Sequence, residues 1–346
     1  MTDKLKILIL IRPFGIMYPK HRIKFDMIEA IGEYAEVKYW FEDGDIRDIL
    51  KKTKFQPDFI FHYDSAWRYK MAPRITGLDK IDIPKGCFVS DLHYHPSEEN
   101  KKKHHEQSRI DYITKNHIDL VFSVSKHPFL QVYPQFKDKH RWLPWSMNPN
   151  VIKDWECKKE IKFLLMGQLY VNDSQNPPKR IPPKGDYKFR EAVLANMNGV
   201  EGFVFHPHPG HLVSASENAY VNEKYAKEIN RSNIFFTCGG QFDFAVLKFF
   251  EAPGCRTLLL AEPNKDMLDL GFEDGVNFVA CTEDNLYEKA MYYDQNMEER
   301  KRITENGYAF IHKYHINSVR AQQFLTYVKN FINNRPLSED PIFGTI

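Results

Sequence analysis

The sequence predicts an α/β protein made of two doubly wound parallel-sheet domains that face each other across a cleft. Short apolar runs, typical of buried parallel strands, alternate with segments of helical periodicity along most of the chain. The alternation is interrupted once, by the proline-containing segment 143–149, and then restarts. A chain of 346 residues also has the length for two domains of ordinary size. We therefore expect an amino-terminal domain at 1–150, a carboxyl-terminal domain at 151–317, and a helix and tail at 318–346.

Five apolar runs predict the parallel strands of the amino-terminal domain. These strands cover residues 6–11, 37–41, 59–62, 86–90 and 120–124. The intervening segments predict helices over residues 21–33, 46–52, 97–116 and 126–133. The same alternation continues beyond the linker and predicts a second sheet of the same kind.

The carboxyl-terminal domain repeats the pattern with five further strands. They cover residues 163–166, 202–205, 234–237, 257–261 and 276–280. Helices are predicted at 189–197, 217–229, 242–252, 285–293, 297–314 and 318–333. Because ligands of such sheets bind beyond the carboxyl ends of the strands, candidate site residues are those that directly follow a strand.

Composition excludes few classes of partner. The formal net charge is +2, which neither requires nor excludes nucleic acid or an acidic membrane surface. Five scattered cysteines without a CxxC pair suggest reduced thiols in a cytoplasmic protein. The apolar run at residues 5–11 is too short for a signal peptide or a membrane span, so we expect a cytoplasmic location and no transmembrane segment.

Residues 235–262 form the stretch that points most directly to a ligand. Gly239 and Gly240 predict a tight turn after an apolar strand, where backbone amides can approach a phosphate. The predicted helix that follows carries Asp243, Lys248 and Glu251, and its amino terminus favours an anion. Lys248 and Glu251 are three residues apart and therefore share one helix face.

The spacing of these acids resembles a known signature. An acid, seven residues, and then a glutamate followed by Ala-x-Gly is similar to the signature of retaining glycosyltransferases with the GT-B fold. Asp243 replaces the usual first glutamate, and Glu251 matches the second. Over residues 140–325 the chain also resembles the CgeB-like, group 1 glycosyltransferases. The matching positions are Trp142-Leu143-Pro144-Trp145, Tyr187-x-Phe189-Arg190, Phe250 to Cys255, Phe272, Gly275, Phe278, Asn285-Leu286, Arg300, Gly307 and residues 315–320.

This resemblance implies a division of labour between the domains. The amino-terminal domain would bind the acceptor and the carboxyl-terminal domain a nucleotide-diphosphate sugar, with the last helix crossing back to the amino-terminal domain. A UDP-sugar is the favoured co-substrate and a GDP-sugar the alternative, with no further cofactor required. The acceptor, whether glycan, protein, lipid or nucleic acid, stays open.

The predicted donor site lies in the carboxyl-terminal half. Glu251 is assigned to the ribose hydroxyls, and Lys248, Arg190 and the Gly239-Gly240 turn to the diphosphate, where arginine suits bidentate contacts. Each of these assignments competes with an ordinary structural role for the same residue. Three further candidates are Gly167, His206 and Asp243, the last as a group that binds sugar hydroxyls or favours the helix start.

The predicted acceptor site lies in the amino-terminal half. Asp91 and His93 follow the fourth strand and are candidates for general-base catalysis or acceptor binding. Gly15, Asp64 and His95 are further acceptor-binding candidates because they follow strands. These histidines, and those at positions 206–211, are either metal ligands or polar packing residues, and no metal site is predicted.

We therefore predict a glycosyltransferase, with retention of anomeric configuration favoured. The alternatives are inverting transfer with Asp91 as the base, including transfer to a modified nucleic-acid base, a nucleotide-sugar epimerase, and a binding protein without catalysis. The replacement of the first signature glutamate by Asp243 is the reason to keep the last alternative.

Overall fold

The computed structural model describes residues 4–63, 71–90, 92, 99–171, 181–211, 213 and 219–336. The chain divides into two compact units. The described residues of the amino-terminal unit lie within 4–14, 28–144 and 320–336. Those of the carboxyl-terminal unit lie within 15–27 and 145–319. Each unit is centred on its own parallel sheet, so the predicted α/β class with two doubly wound sheets is confirmed.

The amino-terminal unit contains a six-stranded parallel sheet. Its strands are β1 (Lys6–Leu10), β2 (Glu36–Trp40), β4 (Phe59–Tyr63), β6 (Lys85–Val89), β7 (Leu120–Ser123) and β8 (His140–Trp142), and a separate pair consists of β3 (Gly44–Asp45) and β5 (Ile75–Thr76). The order in the sheet is β2-β1-β4-β6-β7-β8. The residues of β1 and β4 are almost all fully buried, which explains their nearly continuous apolar sequences.

The helices that accompany this sheet in the described residues are α3 (Ile46–Thr53), α4 (Glu99–Lys115), α5 (His127–Val132) and most of α12 (Asn317–Ile332). The first three residues of α12 belong to the carboxyl-terminal unit, and Arg320 onward belongs to the amino-terminal unit. Within that unit the ring of Phe324 lies 4.8 Å from Phe61 and 4.9 Å from Phe122, centroid to centroid. The last long helix therefore completes the core of the sheet that begins the chain.

The carboxyl-terminal unit contains a five-stranded parallel sheet. Its strands are β9 (Ile161–Gly167), β10 (Phe203–Pro207), β11 (Ser232–Thr237), β12 (Leu258–Ala261) and β13 (Val279–Ala280), in the order β10-β9-β11-β12-β13. Its helices in the described residues are most of α1 (Phe14–Met17), most of α2 (Arg22–Glu29), α6 (Lys188–Met197), α7 (Asn222–Asn230), α8 (Leu247–Gly254), α9 (Lys265–Asp269), α10 (Leu286–Gln295) and α11 (Met297–Tyr314).

The order of the second sheet defines where a ligand should bind. The chain moves from β9 outward to β10 and then returns past β9 to β11, so β9 and β11 flank a topological switch point. The loops after these two strands leave in opposite directions and create a crevice at their carboxyl ends. The loops that follow Gly167 and Thr237 are therefore the ones to inspect for a site.

Two differences from the predicted elements have clear local causes. The helix expected over 242–252 begins at Leu247, because Gly240–Phe242 form a 3-10 turn and Asp243 has a left-handed backbone with φ of 49°. Strand β8 was not predicted, because His-Arg-Trp contains no apolar run. All ten predicted strands are present, with boundaries that differ from the prediction by at most three residues.

No helix in the described part of the chain combines the length and the apolar character that a membrane span requires.

Candidate functional site

A pocket lies within the carboxyl-terminal unit, at the carboxyl ends of β9 and β10. Its walls come from these strand ends, from α7 and α8, and from the segment Gly15–Met27. Three of the predicted donor-site residues line it, namely Gly167, Lys248 and Glu251.

Arg190 connects the two loops at the switch point. This buried side chain comes from α6 and is 4% exposed. Its Nη1 donates to the carbonyl oxygen of Gln168, after β9, at 3.2 Å. Its Nη2 donates to Thr237 Oγ1 and to the carbonyl oxygen of Cys238, at the end of β11, at 3.4 and 3.1 Å. The guanidinium therefore joins the ends of β9 and β11 and places a positive charge at the crevice.

Gly167 brings a second cation close to this guanidinium. Its φ of +150° is unfavourable for any residue with a side chain. A Cβ at this position would lie 3.3 Å from Arg190 Nη1 and 3.4 Å from Lys248 Cε. The glycine therefore allows the Arg190 and Lys248 side chains to converge over the end of β9.

Lys248 and Glu251 project from the same face of α8, as predicted, and both line the pocket. Burial, assisted by the nearby charge of Arg190, lowers the pKa of Lys248 to about 8. Burial raises the pKa of Glu251, which is 5% exposed, although the Lys248 charge opposes the shift. The hydroxyl of Tyr225, on α7, donates to Oε2 of Glu251 at 2.8 Å. The pocket thus presents a cation and a restrained carboxylate side by side.

The segment Gly15–Met27 supplies pocket residues that the sequence analysis missed. Lys20, His21 and Lys24 line the pocket, and the Lys24 ammonium lies 4.7 Å from the centre of the Trp145 ring. Burial and the two lysine charges lower the pKa of His21 to about 2, so this histidine is neutral. The i, i+4 spacing of the lysines was a visible signal, but nothing in it indicated that this segment folds with the carboxyl-terminal half.

The turn after β11 contains a glycine with a left-handed backbone, Gly240. None of Gly239, Gly240 and Asp243 belongs to the pocket lining. Gly240 has a φ of +69°, and a Cβ there would lie 3.1 Å from Cε1 of Tyr187. That tyrosine ring lies 4.8 Å from the Arg190 guanidinium. Asp243 lies at the end of the turn and is exposed to solvent. Protein atoms near its carboxyl group still remove part of its hydration, and this desolvation raises its pKa.

His206 contacts α7. Its Nε2 lies 2.7 Å from Oε1 of Glu228, and its ring lies 4.2 Å from the Tyr220 ring. The other carboxylate oxygen of Glu228 accepts a hydrogen bond from Arg231. It is the neighbouring His208 that lines the pocket, where burial and the charge of Lys20 lower its pKa.

Little of the predicted acceptor site falls within the described part of the chain. Asp64, Asp91, His93 and His95 lie outside the described residues. Gly15 lies in α1, where a Cβ would come within 2.5 Å of Cβ of Phe25, so this position is tightly packed. Among the residues that the structure describes, no group of three or more His, Cys, Asp or Glu side chains has a geometry that could hold a metal ion.

Comparison with known proteins gives the class of enzyme. Residues 188–326 match a family model described as glycosyl transferase-like, and no curated protein matches the chain significantly. The match confirms the resemblance to group 1 glycosyltransferases, without extending to the CgeB-like group. The match covers residues 188–326 and, with the two parallel-sheet units of the GT-B fold, supports a transferase enzyme.

Solved structures share this fold at low sequence identity. HepE from Anabaena, in complex with UDP and glucose, aligns with a TM-score of 0.58 and 10% identity over 94% of this chain and 100% of that chain. Sucrose-phosphate synthase from Thermosynechococcus elongatus aligns with a TM-score of 0.61 and 11% identity over 96% of this chain and 100% of that chain. A protein from Listeria monocytogenes that is assigned as a UDP-N-acetylglucosamine 2-epimerase aligns with a TM-score of 0.52 and 14% identity over 99% of this chain and 100% of that chain.

Proposed function

We propose that the enzyme transfers a sugar from a UDP-sugar to an acceptor and binds this donor in the pocket of the carboxyl-terminal unit. The observation that carries the proposal is the convergence of Arg190 and Lys248 over Gly167 at the end of β9, with Lys248 and Glu251 both in the lining of the adjoining pocket. A nucleoside diphosphate needs such a combination, a carboxylate for the ribose and cations for the phosphates. HepE, which shares the fold, is known in complex with UDP and with UDP-glucose.

In this proposal Glu251 accepts hydrogen bonds from the ribose hydroxyls. Lys248 binds the diphosphate, and Lys20 and Lys24 add positive charge on the facing wall of the pocket. Negative charge builds up on the diphosphate as the sugar leaves, so cations placed in advance stabilise the transition state more than the bound donor. The amides of the Gly239-Gly240 turn are assigned to the same phosphates.

We assign different roles to Arg190 and Lys248. Both of its terminal nitrogens donate to groups at the ends of β9 and β11, whereas Lys248 lines the pocket. We assign Arg190 to fixing the two loops around the diphosphate and to the positive potential beneath it. Gly167 leaves the space in which the two cations meet.

For catalysis we favour retention of anomeric configuration, with Asp243 on the sugar hydroxyls and leaving-group stabilisation as the main contribution. An inverting mechanism would use Asp91 as the base, and His93 is the second candidate for a catalytic role in the amino-terminal half. Gly15, Asp64 and His95 remain assigned to the acceptor, and His206 supports the donor pocket through α7. The anomeric configuration of the product, read by proton NMR, distinguishes the two mechanisms.

The experiment that tests the proposal is a donor screen with two readouts. Thermal shift with UDP-, GDP-, ADP- and CMP-linked sugars reports binding, and release of the free nucleotide reports turnover. We expect stabilisation and turnover with a UDP-sugar, with a GDP-sugar as the alternative donor. Binding of none of these donors would contradict the proposal. The five free cysteines fit a reducing compartment, and we place the reaction in the cytoplasm on that basis.

A UDP-sugar epimerase is the second candidate function, because a protein assigned to that activity shares the fold over 99% of this chain. An epimerase converts its donor without an acceptor, and a transferase requires one beyond slow hydrolysis. Epimerised UDP-sugar formed in the absence of any acceptor would favour this candidate. A third outcome, donor binding without turnover, would indicate a binding protein without catalysis. In that case Asp243 would not perform the function of the glutamate that usually occupies this position.

A further inference from the structure

Glu251 is held by one side chain of a neighbouring helix. The hydroxyl of Tyr225, on α7, donates a hydrogen bond of 2.8 Å to Oε2 of Glu251, on α8. We propose that Tyr225 is a positioning residue that fixes this carboxylate, so that Oε1 accepts a hydrogen bond from a ribose hydroxyl of the nucleotide. This inference rests on the proposed function, because it takes the ribose of a bound UDP moiety as the partner of Glu251.

The geometry divides the two carboxylate oxygens between two tasks. Both side chains line the pocket, and Glu251 itself is 5% exposed. No residue in the described part of the chain donates a hydrogen bond to Oε1 of Glu251. A carboxylate oxygen of a pocket-lining residue that has no protein donor is suited to a ligand hydroxyl. Tyr225 occupies the other oxygen and thereby limits rotation of the carboxylate.

The contact also affects the charge of Glu251. Burial raises the pKa of this carboxyl group, and the charge of Lys248 on the same helix opposes that shift. The Tyr225 hydrogen bond lowers the pKa as well, followed by the charges of Lys20 and Lys24 on the segment Gly15–Met27. The ionised carboxylate is the better hydrogen-bond acceptor, so Tyr225 helps to keep it in the form that binds a hydroxyl.

The other groups around the pair do not replace Tyr225. Burial and the Glu251 charge hold the pKa of Tyr225 well above its ordinary value, so the phenol stays a donor at neutral pH. Burial likewise raises the pKa of Cys255, whose thiol is uncharged there. The Arg190 charge bears on Tyr225, but its terminal nitrogens donate to the loops after β9 and β11.

Removal of the hydroxyl should therefore weaken nucleotide binding and change its pH dependence. A hydrogen bond to a charged group contributes enough for us to expect roughly a tenfold loss of UDP affinity in Tyr225→Phe at neutral pH. Without this hydrogen bond the pKa of Glu251 rises further. The loss of affinity on acidification should then begin at a higher pH in the variant than in the parent protein. A hydrogen bond that only joins two helices would change stability and leave this pH profile where it was.

The experiment is calorimetric titration of the full chain with UDP between about pH 5 and pH 8, the range in which a raised carboxyl pKa becomes visible. The variants are Tyr225→Phe, Glu251→Gln and the double variant. Tyr308→Phe is the matched control, because it removes a half-buried hydroxyl on α11 from outside the pocket lining. Carbon-13 NMR of the Glu251 carboxyl group in labelled protein without ligand measures its pKa directly.

We expect the acid limb of UDP affinity and the carboxyl pKa to move upward together in Tyr225→Phe and in no other single variant. Adding Tyr225→Phe to Glu251→Gln should leave the pH profile of Glu251→Gln unchanged. A parental affinity and carboxyl pKa in Tyr225→Phe would overturn the inference and leave the proposed function standing. Failure of the parent protein to bind UDP at any pH would overturn both.

Discussion

Glu251 is the residue on which the donor assignment depends most strongly. If its carboxylate accepts the ribose hydroxyls, Glu251→Ala removes hydrogen bonds to a charged group, each contributing about 1.5–3 kcal/mol. We predict a loss of UDP affinity of roughly 10- to 150-fold for one such bond, measured by calorimetry. Glu223→Ala, which removes an exposed glutamate from the neighbouring α7, is the control and should bind UDP normally. Equal affinities of the two variants would reject the ribose assignment.

Deprotonation of Lys248 should lower the UDP affinity of the enzyme at alkaline pH. Its pKa is lowered to about 8 by burial, so the ammonium is present below that pH and is lost as the pH rises through it. The contribution of Lys248 to UDP affinity should accordingly be constant below about pH 8 and fall above it, because a neutral amine no longer attracts the diphosphate. Lys248→Met should lower the affinity and abolish this limb. Lys265→Met, at an exposed position on α9, should retain it. An alkaline limb that persists in Lys248→Met would exclude this lysine as its source.

At the scale of elements, the turn between β11 and α8 offers a matched pair of glycines. Gly240 and Gly275 have φ values of +69° and +71°, so alanine should destabilise both positions by about 1–2 kcal/mol. The site at Gly275 is open, whereas Gly240 belongs to the turn assigned to the phosphates. We predict a similar loss of thermal stability in Gly240→Ala and Gly275→Ala, and a loss of UDP affinity only in Gly240→Ala. Equal UDP affinity in the two variants would reject the phosphate role of this turn.

The elements show why some features could be predicted from the sequence and others could not. All ten predicted strands are present because apolar runs indicate buried parallel strands independently of their partners. The start of α8 was wrong because a left-handed Asp243 ends the 3-10 turn, and single residues with positive φ leave no periodic signal. Strand β8 was missed for a related reason, since three residues of mixed polarity gain strand structure only by pairing with β7.

At the scale of the whole molecule, a segment from the beginning of the chain completes the pocket of the carboxyl-terminal unit. Lys20 and Lys24 bring two cations to a pocket whose other walls come from residues after 150. Lys20→Ala combined with Lys24→Ala should weaken UDP roughly tenfold and leave uridine affinity nearly unchanged, and the difference should shrink at high salt. Lys51→Ala with Lys52→Ala, on the exposed face of α3, is the control. A loss of equal size for uridine would indicate a packing role.

Because distant segments of the chain form the pocket together, the donor site could be predicted only in part. Lys248, Glu251 and Gly167 lie close to each other in sequence or directly after a strand, so local patterns were sufficient to select them. Lys20, Lys24 and Tyr225 reach the pocket through the packing of distant segments, which no local pattern encodes. His206 lies near the carboxyl end of β10, yet its partner Glu228 lies on α7 and could be identified only from the structure.

The most direct measurement is a crystal structure of the full chain with UDP. We predict that the nucleotide occupies the pocket of the carboxyl-terminal unit, with a ribose hydroxyl within about 3 Å of Oε1 of Glu251 and a phosphate oxygen within about 3 Å of Nζ of Lys248. UDP bound elsewhere, or in this pocket with its ribose distant from Glu251, would contradict the proposed donor site.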